Sequence, residues 1–200
     1  MIFLVSGTTR SVARHAVAGG LGLLLTPRSG NSVASMLATG LPWAADNGAF
    51  SGFDEPAFRR LLAKVCNQPR LLWITCPDIV GDSQGTLALF DRWHDEVALA
   101  GPVALVGQDG LEDREVPWER LDCLFLGGST EWKLSRAAAD LAAEARSRRK
   151  WVHVGRVNSR RRLHWCWSIQ ADSCDGTSAS MFGDVKLPKY LRWIGELLPY

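Results

Sequence analysis

Short apolar runs recur along the whole chain. Each is followed by polar residues and then by a stretch in which apolar positions return every three or four residues. The runs are Ile2–Val5, Leu21–Leu25, Trp43–Ala45, Leu71–Thr75, Val103–Val106, Cys123–Leu126, Trp151–Val154 and Ala171–Cys174. Their length and their β-branched and large apolar content fit strands buried on both faces. Helical spacing predicts helices over Ser11–Ala18, Ser32–Ala38, Glu55–Val65, Ser83–Leu99, Lys133–Arg149, Arg160–Ile169 and Leu187–Leu198, with a single turn over Glu115–Arg120. Strands that alternate with helices form βα units, whose strands lie parallel.

Eight such units predict an α/β fold of the compact (β/α)8 barrel type, at the lower limit of length for that fold. A doubly wound open sheet is the competing arrangement. The strand ends favour the barrel. They read Ser6-Gly7-Thr8, Thr26, Asp46-Asn47-Gly48, Asp78, Gln108-Asp109-Gly110, Gly127-Gly128-Ser129, Gly155-Arg156 and Asp175-Gly176-Thr177. A barrel brings all these loops to one mouth, where catalytic residues are assembled. The 200 residues are expected to form one catalytic domain over 1–200.

A hydrophobic share of 46% with 22% charged residues excludes disorder and collagen-like repeats. The longest apolar runs are far shorter than the roughly 20 residues of a membrane helix. Met1-Ile2-Phe3-Leu4-Val5 has no basic lead or small-residue cleavage site, so it reads as a strand, and a cytoplasmic location without membrane contact is expected. Net charge is only +2, but Arg146, Arg148, Arg149, Lys150, Arg156, Arg160, Arg161 and Arg162 follow one another with no acidic residue between them. Such a block offers phosphate contacts if it lies on one face, or is a solvated helix end. The 5 cysteines show no zinc-ligand spacing and are odd in number, which predicts reduced, buried thiols and no metal. The 9 tryptophans are expected in the core or the cleft wall.

Four predicted strand ends carry an acid or an amide: Asp46, Asp78, Gln108 and Asp175. Any one alone is explained as a helix cap, but four on different strands of one barrel are not. Several carboxylates at one cleft suit acid/base chemistry, a metal, or attack on a sugar carbon. In sequence, no histidine adjoins them to complete a metal set.

From Trp43 to Gly176 these residues resemble the tRNA-guanine transglycosylase superfamily, in particular its branch that acts on 7-deazaguanine in DNA. Asp46-Asn47-Gly48-Ala49-Phe50 resembles the family's Asp-Ser-Gly-Gly-Phe, which implies a general acid/base at Asp46, base stacking on Phe50 and base contact near Asn47. Asp78 falls where the family has a base-reading aspartate, and Val106-Gly107-Gln108-Asp109-Gly110 is similar to a segment whose glutamine binds the base. Leu126-Gly127-Gly128-Ser129-Thr130-Glu131 resembles a segment whose backbone contacts the base, implying that role for Gly127 and Gly128. Asp172-Ser173-Cys174-Asp175 matches the family's Asp-x-x-Asp, whose second aspartate is the nucleophile. The chain departs from the tRNA-acting members in having no Cys-x-Cys-x2-Cys…His zinc subdomain and no Thr-Arg pair after Asp175, which turns the expectation from tRNA to DNA.

The resemblance implies an enzyme that cleaves the N-glycosidic bond of a flipped-out base, with Asp175 attacking C1′ and no cofactor. Arg156, Arg160, Arg161 and Arg162 are expected to hold phosphates. The partners are DNA, single- or double-stranded, and a free nucleobase as product or second substrate. Excision of a modified base, as in defence against phage DNA, is the leading expectation. Base exchange with a 7-deazaguanine, in DNA or tRNA, is the alternative, and a non-catalytic nucleic-acid-binding barrel or a metal-dependent hydrolase are readings of other classes. Several residues have plainer readings. Asp78 lies in a turn between Pro77 and Gly81, Glu131 in a first helical turn, and His153 within an apolar strand as a satisfied barrel histidine; Asp172 either orients Asp175 or caps a strand end.

Overall fold

A computed structural model of the chain describes residues 1–7, 9–16, 20–29, 32–176 and 183–197. Its strands are β1 (Ile2–Val5), β2 (Leu21–Leu25), β3 (Trp43–Ala45), β4 (Leu71–Thr75), β5 (Val103–Gly107), β6 (Cys123–Leu126), β7 (Trp151–Val154) and β8 (Ser173–Asp175). They pair in chain order, all parallel, and β8 closes on β1 with Leu4 opposite Asp175. The chain is therefore a closed (β/α)8 barrel, and the open doubly wound sheet is excluded.

The helices are α1 (Thr9–His15), α2 (Val33–Leu37), α3 (Glu55–Val65), α4 (Ser83–Ala98), α5 (Thr130–Lys133), α6 (Arg136–Ser147), α7 (Arg160–Ser168) and α8 (Gly183–Gly195). Helix α3 begins where Asp54 accepts the Ala57 amide, and it buries Phe58, Leu61, Leu62 and Val65 at helical spacing. Asp82 caps α4 in the same way, and Ser159 caps α7. The helix expected over Lys133–Arg149 is two, because Ser135 accepts the Ala138 amide and restarts the chain as α6. The closing helix starts at Gly183, ahead of the expected Leu187. The single turn over Glu115–Arg120 contracts to a 3-10 turn at Trp118–Arg120. The ends expected at Ala18 and Leu198, and Thr177 beyond Asp175, lie outside the described residues.

Alternation along the strands sorts their side chains into two cores. Phe3, Val5, Leu23, Leu25, Ile74, Leu105, Leu124, Val152 and Cys174 face the helices, whereas Leu4, Leu24, Ala44, Trp73, Ala104, Val106, Cys123 and Phe125 fill the barrel. Trp73 is the largest side chain of this filling, stacked against Phe125 and His153 at centroid distances of 5.6 and 4.7 Å. Its indole Nε1 is buried without an acceptor among the described residues.

Trp73→Ala, which empties the middle of the barrel, is expected to lower the unfolding free energy by about 3–5 kcal/mol. Trp73→Phe, which removes the unpaired donor but keeps a ring, is expected to cost less than about half as much. Urea titrations of both variants measure this.

Candidate active site

The alternation that fills the barrel continues past the strand ends. Two residues beyond Leu4, Leu24, Ala44, Val106, Phe125, His153 and Ser173 come Ser6, Thr26, Asp46, Gln108, Gly127, Gly155 and Asp175, and all seven line one cavity of about 410 Å³. This is the size range of small-molecule sites, at the end of the barrel where such sites form. On β4 the inward place falls to Thr75, and Asp78 reaches the cavity through the turn after Pro77. Asp54 and Asp82 cap helices, whereas Asp46, Asp78 and Asp175 cap none and line the cavity, with Asp54 also in its lining.

Both oxygens of Asp78 are held by amides. Asn47 Nδ2 donates to Oδ1 at 2.9 Å and Gln108 Nε2 to Oδ2 at 2.7 Å, while Gln108 Oε1 accepts the Gly81 amide at 2.9 Å. Asn47 is otherwise filled: Nδ2 also donates to the Cys76 carbonyl and Oδ1 accepts the Ala49 amide. Asn47 thus supports Asp78 from within the cavity lining. Burial raises the Asp78 carboxyl above its usual range, and the two amides and Arg156 oppose this.

Among the described residues Asp46 has one donor, the Gly48 amide, at 2.6 Å from Oδ1. Burial, reinforced by the negative charges of Asp78 and Asp175, raises its carboxyl from 3.8 to about 7, against the pull of that amide. It therefore holds a proton up to neutral pH.

Asp175 is fixed by one oxygen. Its Oδ1 lies 3.2 Å from His153 Nε2 and 3.1 Å from the Arg156 amide, which donates to it. Its Oδ2 has no hydrogen-bond partner among the described residues. His153 is fully buried and is a satisfied barrel histidine, but the group it satisfies is the predicted nucleophile. Along the sequence no histidine adjoins these carboxylates. The signal was there in register, since His153 pairs with Ser173 and both face inward with Asp175. A side chain on Gly155 would press on Phe125, with Cβ 2.5 Å from Cε2, so only glycine fits between the ring and Asp175.

Arg156 serves the site differently from a phosphate clamp. Its guanidinium donates to the carbonyls of Gly127, at 2.8 Å, and of Gly128, and lies 4.7 Å from the centroid of the Phe50 ring. The Gly127 and Gly128 amides donate to Gly107, so these backbone groups are engaged within the protein, and Gly128 lies outside the cavity lining. Phe50 is 68% exposed on the rim. Arg160, Arg161 and Arg162 are not brought into the cavity lining. Arg160 pairs with Glu196 at 2.8 Å, Arg162 donates to the Arg156 carbonyl and to Thr130 Oγ1, and Arg161 is exposed. The basic block is divided by β7, with Arg146 to Lys150 before the strand and Arg156 to Arg162 after it, at opposite barrel ends.

Asp172 accepts the Val152 amide at 2.8 Å, which makes it a strand-start clamp away from Asp175. Glu131 lies exposed in the first turn of α5. Lys133, unremarked in the sequence, is buried with Nζ 2.8 Å from the Gly155 carbonyl, and burial lowers its ammonium to about 8. Cys76, Cys123, Cys166 and Cys174 are buried free thiols and Cys66 is half-buried. Among the described residues no group of three or more histidine, cysteine or acidic side chains could hold a metal ion, and no helix is long and apolar enough to cross a membrane.

Asp46 also sets a pH dependence of stability. Between about 3.8 and about 7 the native state binds more protons than the unfolded chain, so stability falls as pH rises through that window. Asp46→Asn, which cannot ionise, is expected to gain in melting temperature over the wild type from pH 5 to pH 8, as scanning calorimetry at both values would read.

No protein-family model and no curated protein sequence matches the chain. Solved structures do match in fold. A mandelate oxidase with a C4a-OH-FMN adduct superposes with a TM-score of 0.62 at 15% identity, over 97% of this chain and 72% of that one. An HpcH/HpaI aldolase from Desulfitobacterium hafniense DCB-2 gives a TM-score of 0.51 at 10% identity, over 98% and 92% of the two chains. An HpcH/HpaI aldolase/citrate lyase family protein from Burkholderia cenocepacia J2315 gives 0.52 at 13% identity, over 96% and 93%. Similarity at these identities is one of architecture, and what this chain shares with those enzymes is the barrel.

Proposed function

We propose that the protein is an enzyme that cleaves the N-glycosidic bond of a flipped-out base in DNA and excises a modified base. One observation carries the reading: a single cavity contains a carboxyl that keeps its proton to about pH 7, Asp46, and a carboxylate with one oxygen held and one free, Asp175. A carboxyl that holds a proton and a second carboxyl group with a free oxygen, both in one cavity, suit a glycosyl transfer through a covalent intermediate.

In the first step Asp175 Oδ2 attacks C1′. The C1′–N bond breaks, its electron pair goes to the base, and the base takes the Asp46 proton. In the second step water attacks C1′ and gives its proton to the Asp46 carboxylate, and the C1′–Oδ2 bond returns its pair to Asp175. Asp78 and Gln108 form a rigid acceptor and donor pair at the cavity wall, suited to the hydrogen-bonding edge of a base. Exposed Phe50, Ile79 and Val80 on the mouth loops are of the type that occupies the stack a flipped nucleotide vacates. The mouth loops carry, among the described residues, only the short turns Ala49–Ser51 and Leu111–Asp113 and the one-turn helix α5.

The test is incubation with DNA carrying hypermodified bases. Abasic sites are read by alkaline cleavage and released base by mass spectrometry, with and without free 7-deazaguanine bases. Abasic sites are expected without added base, and Asp175→Ala is expected to give none. Product formed only with an added base would replace excision by exchange. Absence of either product from DNA would refute the reading. Asp46→Asn is expected to lose about 10²–10⁴-fold in rate, the usual worth of a positioned acid. For the wild type, kcat/KM of base release is expected to fall about tenfold per pH unit above pH 7, as Asp46 ionises, and this limb is expected to vanish in Asp46→Asn.

A further inference from the structure

Behind Asp175 the barrel interior contains a buried polar chain that the mechanism above does not use. Trp151 Nε1 lies 2.7 Å from Ser173 Oγ, Ser173 Oγ lies 2.8 Å from His153 Nδ1, and His153 Nε2 lies 3.2 Å from Asp175 Oδ1. Ser173 and His153 are fully buried, with Trp73 and Phe125 packed against the imidazole at centroid distances of 4.7 and 4.4 Å.

One proton arrangement satisfies all four groups. The Trp151 indole only donates and the Asp175 carboxylate only accepts. Ser173 therefore accepts from Trp151 and donates its own hydrogen to His153 Nδ1, which leaves the proton of a neutral imidazole on Nε2, facing Asp175. An Nδ1–H tautomer would set two acceptors against each other at Asp175. A doubly protonated ring would leave the Ser173 hydroxyl hydrogen without an acceptor among the described residues. Burial also pushes the imidazole below its ordinary range, towards the neutral form.

We propose that His153 is a positioning residue, keyed as the Nε2–H tautomer by Ser173 and Trp151, that makes Oδ2 the attacking oxygen of Asp175 and makes Asp175 a good leaving group when the glycosyl-enzyme is resolved. The inference rests on the glycosyl-transfer reading above. With Oδ1 held by His153 and the Arg156 amide, Oδ1 becomes the carbonyl oxygen of the ester. Both donors bind a carboxylate more strongly than an ester carbonyl. Their effect is thus felt when the C1′–Oδ2 bond breaks and the negative charge returns to Asp175. Loss of the His153 donor slows that second step and spares the first.

Two measurements test this on the full chain. The first is ¹⁵N NMR of the imidazole nitrogens, with His153 assigned by comparison with His153→Gln. The Nε2–H neutral form is expected, and an Nδ1–H or doubly protonated ring would overturn the keying. The second mixes wild type, His153→Phe and His153→Gln with the DNA substrate, quenches with acid and reads the protein–DNA adduct by intact mass. His153→Phe is expected to form the adduct and break it down roughly 10- to 100-fold more slowly, the worth of one hydrogen bond to a charge. His153→Gln, which keeps an N–H towards Asp175, is expected to resolve it within a few-fold of the wild-type rate. A His153→Phe protein that forms adduct more slowly without accumulating it has lost only its structure, which would overturn the leaving-group role. If wild type itself leaves no mark on DNA, the glycosyl reading fails, and the NMR result still decides the tautomer.

Discussion

Asp46, Asp78 and Asp175 share one cavity above an apolar barrel filling, with the helix cap Asp54 also in its lining, and the site is shaped by how the three are accommodated there. Charge that leaves water must be neutralised or met by fixed donors. Asp78 is met by two amides, one on each oxygen. Asp175 is met by an imidazole and a backbone amide on one oxygen. Asp46 is buried beside two acidic neighbours with a single amide donor among the described residues, and burial above all gives it the proton it keeps to about pH 7. Burial, charged neighbours and donors together distinguish three residues of similar chemistry.

The donors are in turn placed by the barrel. A strand side chain points into the barrel or out to the helices, and a parallel ladder fixes which residues of neighbouring strands share a level. His153 stands opposite Ser173, and Asp175 lies one inward position beyond Ser173. The same geometry puts Gly155 beside Phe125 and Asp175, where a larger residue would collide with the ring. Arg156, in the left-handed region with φ 62°, turns its amide to Asp175 while its guanidinium reaches Gly127, Gly128 and Phe50. Strand order, an unusual backbone conformation and one cation–π contact thus converge on a single carboxylate.

Much of this was legible along the chain because the relevant signal is local. Apolar runs of strand length mark all eight strands, with boundaries that shift by at most a couple of residues, since burial on both faces writes itself into consecutive positions. Asp46, Asp78, Gln108 and Asp175 stand out as polar residues just past such runs, and all four line the cavity. The parts that the chain alone leaves open are those in which the partner is remote. Asn47 donates to Asp78, which lies on the next strand's loop, a contact that no local pattern shows. The basic block looked continuous, but β7 carries its two halves to opposite ends of the barrel. Asp172 looked like a candidate to orient Asp175, although its side chain faces the start of β7.

The sequence by itself determined the alternation of strands and helices, and with it the parallel barrel and the end of it that collects the polar residues, because hydrophobic period and strand-end chemistry are properties of neighbouring residues. Tertiary structure alone decided which carboxylate keeps a proton, which oxygen of Asp175 is held, and that His153 faces it. Those outcomes depend on burial and on donors from other strands, and a closed ladder brings such groups together across separations that no local pattern records.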